Sequence, residues 1–183
     1  MLVLAVCGLP ASGKGEFAQV ARRLGVPVRS MGDMVRAEVE ARGLKGGPEV
    51  FGHVAVDLRA KHGDEVLAVR LADAIDASEP APLLVIDGMR GTAERRVFRE
   101  RWAEAFRVVA IEADPEVRFA RTQSRGRAED GSHEQFEQRD IRERGWGVEV
   151  LMLEAEFTLV NRDPLSAFHA DAEHLLRRLL PEG

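Results

Sequence analysis

The chain has 183 residues, 45% of them hydrophobic, with 26 basic against 31 acidic side chains and a formal net charge of −5. That length and apolar share fit one globular domain with a sizeable core, 1–183, with room for a helical insert. The negative balance gives no general pull towards nucleic acid or an anionic membrane. No apolar run is long enough for a secretory signal or a membrane span. The single Cys7 cannot pair within the chain, which is expected of the reducing cytoplasm.

In chain order, LVLAVC at 2–7 predicts a short buried strand. GLPASGKG follows at 8–15, and then Phe17, Val20, Ala21 and Leu24 recur at helical spacing until Gly25 and Pro27. A strand, a glycine-rich turn and a helix form the context of a phosphate-binding loop. Its backbone N–H groups point inward and the helix start adds positive partial charge. The chain has 17 glycines and three lysines, Lys14, Lys45 and Lys61. Chance would place such a Gly-x4-Gly-Lys run only about 0.02–0.03 times in a chain of this composition. Gly8, Pro10, Ala11, Ser12 and Gly13 form the expected cradle, with Lys14 beside the outer phosphates and Gly15 and Glu16 after it. Gly15 stands where the common motif has the Ser or Thr that ligates Mg²⁺, so this loop cannot hold the ion in the common way.

A strand is predicted over 26–29, ending at Ser30, and a helix over 33–42, closed by Gly43. After a loop at 46–48, helices are expected over about 50–61 and 64–77. An apolar strand over 83–86 ends at Asp87, followed by a helix over 92–103 and a strand over 107–112. Asp114-Pro115 reads as a cap and first turn. A polar, arginine-rich stretch runs over 118–144. A last strand over 157–160 precedes an amphipathic helix from Pro164, with Leu165, Phe168, Ala172, Leu175, Leu176 and Leu179 inward. Alternating strands and helices predict an α/β fold with a parallel five-stranded sheet covered on both faces. Ligands of such sheets gather at the carboxyl ends of the strands, where Gly8, Ser30, Asp87, Asp114 and Asn161 fall.

Phosphoryl transfer needs cations around the moving phosphate, a carboxylate near Mg²⁺ and a pocket for the acceptor. Asp87, at a strand end, is the first carboxylate candidate, and Asp33 the second; each also fits a helix or turn cap. Arg36 and Arg90 follow the ends of two strands and suit a forked grip on an acceptor phosphate. Arg121, Arg125, Arg127, Arg139 and Arg142 form a third group around GRAEDGSH at 126–133. Two readings stay open for 121–145: a lid that closes over a nucleotide with two or three functional arginines, or a solvated hairpin stitched by its own Glu and Asp. The five histidines show no metal spacing, and Trp102 and Trp146 are expected to pack.

Three segments carry a resemblance. GLPASGKGE resembles the adenylate kinase phosphate loop, which also has Gly directly after its lysine. SMGDMVR at 30–36 resembles the Ser-Thr-Gly-Asp-Met-Leu-Arg segment that binds the acceptor monophosphate. IDGMRGT at 86–92 is similar to the Asp-Gly-Phe-Pro-Arg-Thr segment, one residue shorter before its arginine. The chain thus resembles the nucleoside monophosphate kinase group, with its three-layer P-loop NTPase fold. The resemblance implies that Lys14 neutralises the transferred phosphate, that Arg36 and Arg90 hold the acceptor phosphate, and that Asp87 with Asp33 orients Mg²⁺ through water. Ser30, Asp33 and Arg139 are expected beside the acceptor as well. It also implies an acceptor-binding insert at 36–80. Met31 stands where that group has a base-contacting Thr, and Glu16 where it has the next Thr.

The end of the chain, TLVNRDPLSAFHADAEHLL, resembles dephospho-coenzyme A kinases, where a strand ends in Asn (here Asn161) before a loop that cradles adenine. Over nearly its whole length the chain most resembles a small archaeal family of nucleotide-kinase-like proteins. Arg121 and Arg125 are then expected at the nucleotide. The implied activity is ATP- and Mg²⁺-dependent transfer of phosphate to a small, nucleotide-like acceptor in the cytoplasm. A dephospho-coenzyme A kinase, or an ATP-binding regulator with weak ATPase activity, are the alternatives. The interspersed acids argue against nucleic acid as a partner, and the oligomeric state stays open.

Overall fold

β1 (Leu2–Cys7) is buried from Val3 onward and forms the middle of the sheet. The computed structural model describes residues 1–45, 48–125, 132–162 and 164–181. After β1 come α1 (Lys14–Arg23), β2 (Val28–Ser30), α2 (Met31–Ala41), α3 (Pro48–His62), α4 (Val66–Asp76), β3 (Leu83–Asp87) and α5 (Thr92–Trp102). A single 3-10 turn leads to β4 (Phe106–Glu112), then α6 (Pro115–Arg125), α7 (His133–Gly145), α8 (Val148–Leu153), β5 (Phe157–Val160) and α9 (Leu165–Leu179). All neighbouring strands run parallel, in the order β2-β3-β1-β4-β5. The expected α/β architecture with a parallel five-stranded sheet is what the chain adopts.

Side-chain alternation along β1 divides the core in two. Val3, Ala5 and Cys7 face a cluster built with α2, α3, α4, α5 and α8. Leu4 and Val6 face a second cluster built with α1 and α9, including Phe17, Val20, Phe168 and Leu176. Both faces of the sheet are covered, which is why its strands read as continuous apolar runs. Strand order reverses at β1, with β3 on one side and β4 on the other, so a crevice opens past Cys7.

Three local outcomes differ from the sequence expectations. α2 starts at Met31, two residues early, because Ser30 caps it: Ser30 Oγ accepts from the Gly32 N–H at 3.1 Å, and Asp33 accepts from the Ser30 N–H at 2.8 Å. α8 lies in a stretch to which no helix was assigned; six residues are too few for a clear period. Leu165 is exposed rather than inward, in a first turn of α9 that is exposed throughout, while Phe168, Ala172, Leu175 and Leu176 are buried as expected.

Candidate active site

The loop after β1 is shaped by close backbone approach. Gly8 has φ +150°, and a Cβ there would lie 2.5 Å from the Ile111 carbonyl oxygen. Gly13 has φ +114°, and a Cβ there would lie 2.1 Å from Asn161 Nδ2. Only glycine fits either place. Ala11 holds φ +60°, uncommon for a residue with a side chain. Gly13 is also the N-cap of α1 and offers no side-chain acceptor, so the first N–H groups of that helix are left for an anion. Nothing lies within 4 Å of a Cβ on Gly15, which leaves the mouth of the loop open.

Lys14 folds back over this loop. Its Nζ donates to the carbonyl oxygens of Gly8 at 2.5 Å and Leu9 at 3.0 Å. Burial pushes its pKa down to about 8; Glu143 and Asp87 pull upward, and Arg90 and Arg139 push downward. Glu16 turns the other way, with its carboxylate 2.9 Å from His169 Nε2 on α9. The hydroxyl of Ser12 is buried and has no hydrogen-bond partner.

Asp87 ends β3, in register with Val6 of β1 and Ser30 of β2. Burial raises its pKa, against the cations Lys14, Arg22 and Arg90, while Asp33 raises it further. Asp33 serves the cap of α2 and forms an exposed ion pair with Arg36. Arg90 begins the turn into α5, where its N–H donates to Glu94 Oε2 at 2.8 Å. Its guanidinium lies 3.4 Å from Glu143 Oε1, and Arg139 Nε lies 3.5 Å from the same oxygen. Glu143 is only 1% exposed, and its second oxygen, Oε2, has no partner. In the sequence Glu143 is one of several acids of the arginine-rich stretch, for which a lid and a solvated hairpin are both open readings. Its four-residue spacing from Arg139 was the available signal.

On the other side of the loop, Asn161 follows β5 and is buried. Its Nδ2 donates to the Ser12 carbonyl at 2.8 Å, and its N–H donates to Glu112 O at 2.7 Å. Arg121 of α6 reaches the same place, donating to Asn161 Oδ1 at 3.1 Å and to Ser12 O at 3.5 Å. The structure thus brings Arg121, Asn161 and the loop together. The side chain of Arg125, and Arg127, lie outside the described residues. Arg142 is drawn away from the site to the ring of Trp146, 5.8 Å from its centroid. Trp146 is 41% exposed and carries Arg59 as well, so it is not the packing residue expected; Trp102, stacked on Phe98 at 5.5 Å, is.

A further residue, Arg118, went unweighted in the sequence. It is 1% exposed and clamps Asp140 of α7 with bonds of 2.8 and 2.6 Å. It also donates to Pro10 O at 3.0 Å, tying α6 and α7 to the floor of the loop.

Residues 7–137 match the family model described as an AAA domain. A UPF0200 protein of Hyperthermus butylicus is 39% identical over 183 residues, covering 100% of this chain and 97% of its own. The chain belongs to the UPF0200 family. Another UPF0200 protein, from Methanoregula boonei, is 43% identical over 180 residues, 98% of each chain. Among solved structures, this UPF0200 chain is similar to TT1252 from Thermus thermophilus, with a TM-score of 0.68 and 20% identity over 98% of both chains. It is also similar to a gluconokinase from Sinorhizobium meliloti, with a TM-score of 0.59 and 17% identity, covering 98% of this chain and 93% of that one. At such identities the likeness concerns fold alone: this chain shares the α/β fold of these two structures. No helix among its described residues is long and apolar enough to cross a membrane.

Proposed function

We propose that this chain transfers the γ-phosphate of ATP to a small, nucleotide-like acceptor. The observation that carries the reading is Lys14. A half-buried lysine whose ammonium, among the described residues, is bonded to the carbonyls of its own loop at the open start of α1 is a cation held ready for an anion. Loop N–H groups and Lys14 would bind the outer phosphates, with Arg121 and Asn161 bracing the loop from behind. Asp33, Arg36 and Arg90 line the acceptor side, past the ends of β2 and β3.

Mg²⁺ that arrives on nucleotide phosphates needs one or two protein carboxylates, not a closed cage. Among the described residues no group of three His, Cys, Asp or Glu side chains is placed to hold a metal. Asp87, with Asp33, fits the lighter role of orienting the ion through water. When bound, Mg²⁺ would neutralise charge on the β- and γ-phosphates. The place of Asn161 favours dephospho-coenzyme A kinase as the second reading, since it ties the end of β5 to the phosphate loop.

The test is ATP consumption by the purified chain with nucleoside monophosphates or dephospho-coenzyme A as acceptor. Acceptor-stimulated turnover that Lys14→Ala abolishes is expected, together with an ATP affinity weakened about 10- to 100-fold. ATP binding without any acceptor-dependent turnover would instead favour a regulatory nucleotide-binding role.

A further inference from the structure

We infer that Glu143 of α7 takes the proton from an acceptor hydroxyl as that oxygen attacks the γ-phosphate, so the acceptor reacts through a hydroxyl and not through its own phosphate. This rests on the phosphotransferase reading above.

The first observation is the unpaired oxygen. Glu143 is 1% exposed and uses Oε1 towards Arg90 and Arg139, while Oε2 is buried without a partner. An ionised carboxylate only accepts hydrogen bonds, so the group that completes it must donate. A hydroxyl donates; a phosphate dianion brings acceptor oxygens alone. The second observation is where α7 holds this group. The Thr92 N–H donates to Trp146 O at 3.3 Å, and this pins the end of α7 to the turn that carries Arg90. The charge of Glu143 also acts on Lys14, pulling its pKa upward.

The third observation concerns which cations are already neutralised. Arg90 and Arg139 share a buried carboxylate. Displacing Glu143 by an acceptor phosphate would strand a buried charge. The Arg36–Asp33 pair is exposed, and such pairs exchange partners at little cost. An anionic group of the acceptor therefore belongs at Arg36, and its reacting oxygen beside Glu143. The substrate class is a phosphorylated molecule that carries a free hydroxyl.

In the step, the acceptor O–H bond breaks and its proton moves to Glu143 Oε2. The oxygen forms the new bond to the γ-phosphorus. The bond from that phosphorus to the bridging oxygen breaks, and ADP leaves with the electron pair. Glu143 later returns the proton to water.

The experiment compares wild type, Glu143→Gln and Glu143→Asp, with ATP affinity by calorimetry and thermal melting run on each. Acceptors are AMP, CMP, GMP, UMP and dephospho-coenzyme A, with products assigned by phosphorus NMR. Hydrolysis of ATP without added acceptor reads the same step, since water is the smallest hydroxyl acceptor. A phosphomonoester product is expected. Turnover and hydrolysis in Glu143→Gln should fall by about 10²- to 10⁴-fold, the usual share of a general base. ATP affinity should stay within about threefold, and Glu143→Asp should keep part of the rate; it carries the test if the Gln variant does not fold. A nucleoside diphosphate product, or hydrolysis unchanged in Glu143→Gln, overturns the inference and leaves the phosphotransferase reading standing. A wild type that consumes no ATP, even by hydrolysis, overturns both.

Discussion

Lys14 carries the sharpest pH signature among the residues of the site. Burial lowers its pKa from the ordinary 10.5 to about 8. Between those values the unfolded chain binds more protons than the folded one, so this group makes ligand-free stability rise with pH across that window. Nucleotide binding has the opposite sign, because the phosphates need the charged ammonium. ATP affinity measured by calorimetry should therefore weaken as pH rises above about 8, and a Lys14→Met variant should bind weakly with no such slope. Cys7, one strand residue before the loop, is held in the opposite state: burial pushes its thiol up to about 12, against the pull of Lys14, which keeps it protonated and inert. Both residues were legible in the sequence, Lys14 from its spacing within the loop and Cys7 from the apolar run around it. Glu143 was not. A glutamate in a charged helix looks solvated until the arginine of a distant turn is placed against it.

Among the described residues, a buried ion pair and the Phe119–Phe136 ring contact hold helices α6 and α7 together. Arg118 lies over the ring of Phe136 at 5.0 Å and forks onto Asp140, which is itself 8% exposed. Removing one partner leaves the other charge buried and unpaired. Asp140→Ala should cost about 3–5 kcal/mol in chemical denaturation. Arg118→Met, which keeps much of the apolar stem, should weaken ATP binding as well, because it releases Pro10 of the loop. Element positions were largely legible. Helical spacing located α1, α5 and α9, and apolar runs located β1, β3, β4 and β5, because each pattern repeats within a few residues. The start of α2 and the whole of α8 were not. The first depends on a reciprocal cap between Ser30 and Asp33, and the second is too short to repeat.

Over the whole molecule, the loop is clamped by elements far apart in the chain. Ile111 limits Gly8, Asn161 limits Gly13, and Arg118 and Arg121 hold Pro10 and Ser12. A ligand that completes this arrangement should stabilise the entire fold. At about 100 times its dissociation constant, ATP should add about 2.7 kcal/mol, read as a rise in thermal midpoint that the roughly 10- to 100-fold weaker binding expected of Lys14→Ala cuts to about 0.4–1.4 kcal/mol. Asn161→Ala should diminish the rise without removing it, since Arg121 still reaches Ser12 O. The sequence by itself determined the phosphate loop, the alternation of strands and helices and the parallel sheet. Those are written in spacings of two to eight residues, and local geometry reads them directly. Only the tertiary structure decided which charge faces which. Arg90 and Arg139 converge on Glu143, Arg118 goes to Asp140, and Arg142 goes to Trp146. A chain with 57 charged side chains offers many pairings, 26 basic against 31 acidic. Their choice depends on how helices from different parts of the chain pack at one end of the sheet.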